Sequence, residues 1–371
     1  MNDDSIKKPD QEKTAPPKIK WSGLARREEK LAWRLLLPTL IIIALIAFYP
    51  LAQVFYTSFT DRVFASGEET NFIGLDNYRR LLSVHITELQ PVIDQTTGEA
   101  LVDPETGQTV YERPLDILPR RPSRFREVSQ FSILGRRYVL GATDPSFIDA
   151  VRNTVVFTVV SVFIELILGL AIALVVNSKF RFRGGMRAAM LVPWAVITVV
   201  SARMWEWMLA PSRIGMFNAL LDRIGVIDSP IAFLASGSYQ LSAMIAVDVW
   251  KTTPFMALLL LAGLQIMPEE IFEAAEIDGA SKFKQFITIT LPLLKPAMAV
   301  ALIFRTLDAL RVFDIFQVML GRSAYSMASY NYFQLIGNRN MGLASAIGVI
   351  IFILIFGFAV SYIKMLGVED K

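Results

Sequence analysis

Six long apolar stretches limit what this 371-residue chain can fold into. They cover residues 33–59, 151–176, 186–209, 240–264, 296–320 and 341–363. A helix needs roughly 20 mostly apolar residues to cross a bilayer, because lipid offers no hydrogen-bond partner to backbone N–H and C=O groups. With 53% hydrophobic and 19% charged residues, the chain is also too apolar for a soluble protein of this length. The sequence therefore predicts an all-α integral membrane protein with six transmembrane helices.

The basic residues indicate which side of the membrane each end of the chain faces. Nine lysines and arginines lie within residues 7–34, and four more follow the second apolar stretch within residues 179–187. The short segments at 211–239 and 321–340 carry only two arginines each. Because cytoplasmic loops are rich in Lys and Arg, we expect both termini in the cytoplasm. Residues 1–31 are polar and charged, so they are predicted to form a disordered cytoplasmic tail before the first helix at 32–59.

The segment between the first two transmembrane helices, residues 60–148, is polar and is expected outside the membrane. Short alternating runs within it are separated by turn residues around Gly98 and Gly107, a pattern typical of β-hairpins. We expect a small external β-containing subdomain at about 84–143, inserted ahead of a membrane core that covers 149–371.

Several kinds of chemistry find no support in the composition. The chain has no cysteine, which excludes disulfides and thiolate sites, and its one histidine, His85, lies at the start of the insertion. No spaced cluster of metal ligands and no Ser/His/Asp set is present, so we expect neither a catalytic residue nor a metal site. Basic residues are not interleaved with aromatic ones along a groove, so nucleic acid is not an expected partner.

Residues 268–292, between the fourth and fifth apolar stretches, have the pattern of two short helices joined by a turn. Pro268 suits the first turn of a helix, and two acidic residues after it favour the positive helix end. Gly279 stands where a left-handed stop is expected, and Ser281 can cap a second helix that ends at Pro292. Small side chains on the first helix favour docking into a groove of a partner. An amphipathic connector on the membrane surface would also have such a pattern.

The residues of this segment resemble the EAA motif of bacterial ABC importer permeases. Because that resemblance implies contact with an ATPase, we name residues 268–292 the coupling segment. The matching positions are Glu273, Ala274, Ala275, Gly279, Ile289, Leu291 and Pro292. Their spacing is long and fixed, which makes the resemblance more specific than a short motif. Residues 72–78, 250–265 and 305–314 also resemble carbohydrate permeases of the maltose and trehalose type. Within that family the external insertion is similar to that of the larger of two permease subunits.

The resemblance implies an ABC type I importer fold and a transport subunit that is not an enzyme. It implies ATP-driven, binding-protein-dependent import of a carbohydrate, a di- or oligosaccharide, across the cytoplasmic (inner) membrane by alternating access. The chain has no Gly-rich phosphate loop, so two separate ATPase subunits would bind ATP and Mg²⁺. The other implied partners are a second permease subunit of different sequence and a periplasmic or lipid-anchored substrate-binding protein held by the insertion. The implied ATPase-coupling residues are Glu273, Ala274, Ala275, Asp278, Gly279, Ile289, Leu291 and Pro292.

Two other functions are compatible with an apolar, multi-span chain. An ion-coupled secondary carrier would work alone and could use the charges inside the membrane helices, but it leaves the coupling segment unexplained. A membrane scaffold or receptor that transports nothing is the other alternative.

Charged residues inside the apolar stretches are candidates for a substrate path, since each costs several kcal/mol unless it is paired or hydrated. The candidates are Arg305, Asp308, Arg311 and Asp314 in the fifth stretch, with Asp248 and Trp250 in the fourth. The first four recur every three residues on one broad helix face, where they could equally pair with each other inside the bundle. Glu165 and Lys251 raise the same question. Trp250 could stack on the apolar face of a sugar ring or belong to an interface belt.

Overall fold

The computed structural model describes residues 23–94, 98–121, 123–235 and 237–365. Among these residues, those up to Gln53 and those from Val54 onward form two separate compact units. The predicted tail falls mostly outside the described residues, but helix α1 (Gly23–Ile43) begins nine residues before the expected start of the first transmembrane helix. A π-helical turn (Ala44–Phe48) and helix α2 (Tyr49–Thr57) continue it. Together they form a helix long and apolar enough to cross a membrane, Arg27–Thr57.

The insertion contains the expected β-structure. After helix α3 (Asp76–Leu82), strands β1 (Val84–Leu89), β2 (Arg126–Ile133) and β3 (Arg136–Ala142) form an antiparallel sheet in the order β1-β3-β2, with the short helix α4 (Pro114–Ile117) beside it. The turns predicted around Gly98 and Gly107 connect isolated bridges, from Ile93 to Ala100 and from Val102 to Thr109.

The sheet has a small core of its own, and its two ends lie side by side. Leu89, Leu118 and Val139 are buried together. Val84 pairs with Ala142, and the Thr143 N–H donates to the Ser83 carbonyl at 3.1 Å. The insertion therefore leaves and rejoins the rest of the chain at nearly one point.

Helix α5 (Pro145–Asn177) is the central helix of the second unit. Asp144 caps it by accepting the Phe147 N–H at 3.2 Å, and Pro145 occupies the first turn, where its missing N–H needs no partner. Its 33 residues span about 50 Å, more than the hydrocarbon thickness of a bilayer. It contributes residues to three buried apolar clusters.

The remaining helices of the membrane core follow in order. They are α6 (Arg183–Ala195), α7 (Thr198–Met208), α8 (Met216–Arg223), α9 (Gly237–Gln265), α10 (Glu269–Ile277), α11 (Lys282–Gln285), α12 (Leu291–Ala309), α13 (Asp314–Met319), α14 (Met327–Tyr332) and α15 (Met341–Met365). Two π-helical turns, Phe286–Thr290 and Phe333–Gly337, precede α12 and follow α14. Helices α5 and α9 pack closely at Gly169, where an added Cβ would lie 2.7 Å from the Met256 side chain.

Five helices among the described residues are long and apolar enough to span a membrane, or six if a bent pair is one span. That pair is α6 and α7, which differ in direction by 89° and replace the continuous helix expected over 186–209. The fifth span, Lys282–Met319, covers nearly all of the stretch predicted at 296–320, but α12 ends at Ala309 and α13 begins at Asp314. The mostly helical membrane fold with a small β-containing insertion is confirmed.

Candidate functional site

The turn of the coupling segment is closed by the backbone around Gly279. The Gly279 N–H donates to the Glu276 carbonyl at 3.0 Å, and the Ala280 N–H donates to the Ala275 carbonyl at 2.9 Å. These two bonds form a Schellman motif, which needs a left-handed residue after the helix end. Gly279 has φ +74°, a region that side chains with a Cβ rarely adopt. The predicted stop of the first short helix is therefore present, and it fixes the exit direction of the chain.

The second half of the coupling segment continues directly into α12, part of a span long and apolar enough to cross a membrane. Ser281 caps α11 by accepting the Lys284 N–H at 3.3 Å, and the Gln285 side chain donates to the Ala280 carbonyl at 3.0 Å. The expected helix end at Pro292 is wrong: the π-helical turn follows α11 at once, and Pro292 lies in the first turn of α12. Proline lacks a backbone N–H, and the change from π-helical to α-helical hydrogen bonding falls beside it.

The coupling segment exposes apolar side chains that no described part of this chain covers. Ile277 is 87% exposed and Phe283 is 72% exposed. Among the expected coupling residues, Glu273, Ala274, Asp278 and Pro292 are exposed, whereas Ala275, Ile289 and Leu291 are half-buried. The segment is also held by exposed ion pairs, Lys282 with Glu276 and Lys179 with Glu269.

A second group of charges is buried around Arg305 in α12. The Arg305 guanidinium is 2% exposed and donates to both carboxylate oxygens of Glu165 in α5, from Nε at 2.5 Å and from Nη2 at 3.0 Å. It also pairs with Asp248 in α9, and with Asp308 at 3.3 Å. The Thr252 hydroxyl lies 2.7 Å from Glu165 Oε1. One cation thus joins carboxylates from three helices.

The break between α6 and α7 is stabilised by a buried lysine. Lys251 in α9 donates from Nζ to the Val196 carbonyl at 2.5 Å and lies 3.5 Å from the Trp194 carbonyl. Backbone carbonyls freed by a broken membrane helix need such partners, because lipid supplies none. Lys251, which the sequence marked only as a buried charge, therefore holds irregular backbone in place.

The break between α12 and α13 is stabilised by a serine side chain. The Ser326 hydroxyl donates to the Val312 carbonyl at 2.6 Å, and Ser326 also caps α14 by accepting the Ser329 N–H. No glycine or proline occurs from Leu310 to Phe313.

A cavity of about 210 Å³ lies at these two breaks; we name it the charged cavity. Its lining includes all five charged candidates for the substrate path, Arg305, Asp308, Arg311, Asp314 and Asp248. Trp250 does not line it and instead packs edge-to-face against Trp205, with ring centroids 5.5 Å apart. Thr198 and Phe157 line the cavity and were not predicted, because threonine and phenylalanine are ordinary in apolar helices. Within the described ranges no cluster of side chains could hold a metal ion.

Comparison with known proteins places the chain in a family. Residues 150–365 match the family described as binding-protein-dependent transport system inner membrane components. The chain is 49% identical over 218 residues to the trehalose/maltose transport system permease protein MalF of Thermococcus litoralis, covering 57% of this chain and 72% of the relative. It is 31% identical over 363 residues to the sulfoquinovosyl glycerol transport system permease protein SmoG of Agrobacterium fabrum, covering 97% of each.

A solved structure shows the same fold. It is a bacterial ABC transporter involved in the import of the acidic polysaccharide alginate, with a TM-score of 0.66 and 18% identity over 93% of this chain and 98% of the other. The expected importer fold is thereby confirmed, and the alternative of an ion-coupled carrier gains no support. The chain belongs to the binding-protein-dependent transport system inner membrane components, the multi-pass permease subunits of ABC importers.

Proposed function

We propose that this permease subunit moves a di- or oligosaccharide, and that the coupling segment receives the motion of a separate ATPase chain. The observation that carries the proposal is the coupling segment itself: a hydrogen-bonded turn at Gly279 has exposed Ile277 and Phe283 beside it. Exposed apolar side chains on a short helix suit the groove of a partner protein. In this proposal two ATPase subunits bind ATP and Mg²⁺, and both termini lie with them in the cytoplasm.

The other partners follow from the rest of the chain. The insertion would face the opposite side of the membrane and hold a periplasmic or lipid-anchored substrate-binding protein. A second permease subunit of different sequence would complete the membrane path. The relatives support a carbohydrate substrate, because their names specify trehalose or maltose in one case and sulfoquinovosyl glycerol in another.

The path for motion runs through α12. Helix α11, the π-helical turn and α12 are continuous, so a tilt of the coupling segment reaches Arg305 with no intervening loop. Arg305 is bonded to α5 and α9, which would move with it. The charged cavity would then open first to one side and then to the other, and substrate would bias this equilibrium by its difference in affinity for the two states.

The charged cavity suits hydroxyl-rich ligands. Arg305 is bonded to the buried carboxylates of Glu165 and Asp248. Asp308 and Arg311 pair with each other at 3.7 Å but remain largely exposed, so they and Asp314 are accessible to hydrogen-bond sugar hydroxyls. Charge-assisted hydrogen bonds of this kind are about twice as strong as neutral ones.

Reconstitution tests the proposal. Proteoliposomes should contain this chain, the second permease and the ATPase, with binding protein loaded with labelled maltose or trehalose on the opposite side. We expect uptake that requires ATP and binding protein and stops with a non-hydrolysable nucleotide. Uptake by this chain alone under a proton or sodium gradient would contradict it, and uptake of neither sugar would remove the saccharide assignment.

A further inference from the structure

A second cavity lies beyond the charged cavity, at the end of the bundle opposite the coupling segment; we name it the far cavity. Helix α12, which begins at the coupling segment and leads toward this end of the bundle, is about 28 Å long. The far cavity has a volume of about 140 Å³. Its lining includes Gln317, Gly321, Arg322, Tyr325, Tyr332 and Phe333.

The far cavity combines aromatic faces with unused polar groups. Tyr325 and Phe333 are stacked with ring centroids 5.3 Å apart, and the Arg322 guanidinium lies 5.1 Å above the Phe333 ring. Within the part of the chain that the structure describes, the side chains of Gln317, Arg322, Tyr325 and Tyr332 make no hydrogen bond or ion pair. Burial raises the pKa of the Tyr325 hydroxyl against the opposing effect of Arg322, so the hydroxyl remains a donor at neutral pH.

These groups match the two-sided chemistry of a sugar. A pyranose ring has an apolar C–H face that stacks on aromatic rings and a rim of hydroxyls that needs hydrogen bonds. Tyr332 is 43% exposed, so its ring is accessible to a ligand. No carboxylate lines the far cavity, which distinguishes it from the charged cavity.

One pair of rings lies between the two cavities. Phe313, which lines the charged cavity, meets Tyr332 of the far cavity edge-to-face with centroids 5.4 Å apart. Helix α13 borders both, through Asp314 on one side and Gln317 on the other. The two cavities are therefore neighbours, with the contact between these two rings at their border.

We propose that the far cavity is a separate saccharide subsite, which holds one sugar ring before it passes the Phe313–Tyr332 pair into the charged cavity. This inference rests on the proposed function and adds a binding site that the sugar occupies before it reaches the charged cavity. A sugar released by the binding protein would be retained here while the charged cavity opens. Without the subsite, released sugar would escape and ATP would be hydrolysed with less uptake.

The test compares saccharide molecules taken up per ATP hydrolysed in the reconstituted assembly, with binding protein loaded with maltose or trehalose. The variants are Tyr332→Ala and Arg322→Ala, and the matched control is Tyr239→Ala. Tyr239 is 47% exposed and lines neither cavity. Losing one stacked ring should lower the ratio about fivefold for Tyr332→Ala, whereas the control should keep the wild-type ratio.

The possible results distinguish failure of the subsite proposal from failure of the proposed transport function. If the wild-type assembly takes up neither sugar, the proposed function fails before any variant is compared. If it takes up sugar and both cavity variants keep the wild-type ratio, the subsite is overturned. A fall of uptake and hydrolysis in equal proportion also overturns it, because that result assigns the two residues to docking of the binding protein.

Discussion

Arg305 in α12 and Glu165 in α5 form a two-pronged ion pair inside the apolar core, with N–O distances of 2.5 and 3.0 Å. Removing the Arg305 guanidinium would leave the buried carboxylates of Glu165 and Asp248 without their ion-pair partner. Breaking a buried pair in this way costs about 3–5 kcal/mol, so we expect Arg305→Ala to lose that much stability. Thermal and denaturant unfolding of the purified assembly in detergent would measure it.

Arg311→Ala is the matched control for that substitution. Arg311 pairs with Asp308 at 3.7 Å, and both side chains are largely exposed. Exposed pairs contribute about 0–1 kcal/mol, so this variant should unfold almost as the wild type does. Equal effects of the two substitutions would show that the buried network does not stabilise the bundle.

Gly279→Ala tests the turn of the coupling segment. The added Cβ meets no atom within 4 Å, so its cost is the left-handed backbone, about 1–2 kcal/mol. We expect the turn to relax and the uptake per ATP to fall. Gly184→Ala also adds a Cβ in open space, but without a positive φ, and should leave uptake per ATP unchanged. Wild-type coupling in Gly279→Ala would mean that the turn geometry does not transmit motion.

Ser326→Ala tests the break between α12 and α13. The substitution removes the part-buried hydrogen bond to the Val312 carbonyl and the buried cap of α14. We expect a loss of about 2 kcal/mol from the unsatisfied carbonyl and the missing cap. Ser361→Ala removes an exposed bond to the Gly357 carbonyl and should cost much less. Unfolding midpoints measure both, and a neutral Ser326→Ala would show that other groups hold the break.

Deletion of residues 84–142 tests the role of the insertion. Because the Thr143 N–H bonds to the Ser83 carbonyl, a short glycine linker can join these residues with little strain. The insertion has its own buried core, so the membrane assembly should still fold and hydrolyse ATP. We expect binding protein to dock at least about tenfold more weakly, as measured by its stimulation of hydrolysis. Undiminished docking would give the insertion another role.

Much of this fold is predictable from the order of apolar and turn residues. The six stretches, the β-containing insertion, the stop at Gly279 and the cap at Ser281 all depend on local chemistry that a sequence displays. The five charged candidates for the substrate path could also be picked out from the sequence, because a charge in lipid is costly and therefore marks a functional position. In the structure all five line one cavity.

The helix breaks could not be predicted from glycine and proline alone. Pro193 lies near the end of α6, but Pro254 and Pro296 lie inside helices without ending them, and the break at 310–313 contains neither glycine nor proline. The groups that stabilise the breaks are Ser326 and Lys251, and only the folded chain brings them to the freed carbonyls. For the same reason the sequence did not distinguish Trp250, which packs on Trp205, from a cavity residue.

The uninterrupted run from Lys282 to Ala309 has a mechanical consequence. At 1.5 Å per residue it is a lever about 42 Å long, with one end among cytoplasmic partners in the proposed orientation. A rotation of about 5° at that end would displace the other by about 4 Å, more than the length of a hydrogen bond. Small angular changes between nucleotide states would therefore suffice to rearrange the polar contacts at the opposite face of the bilayer.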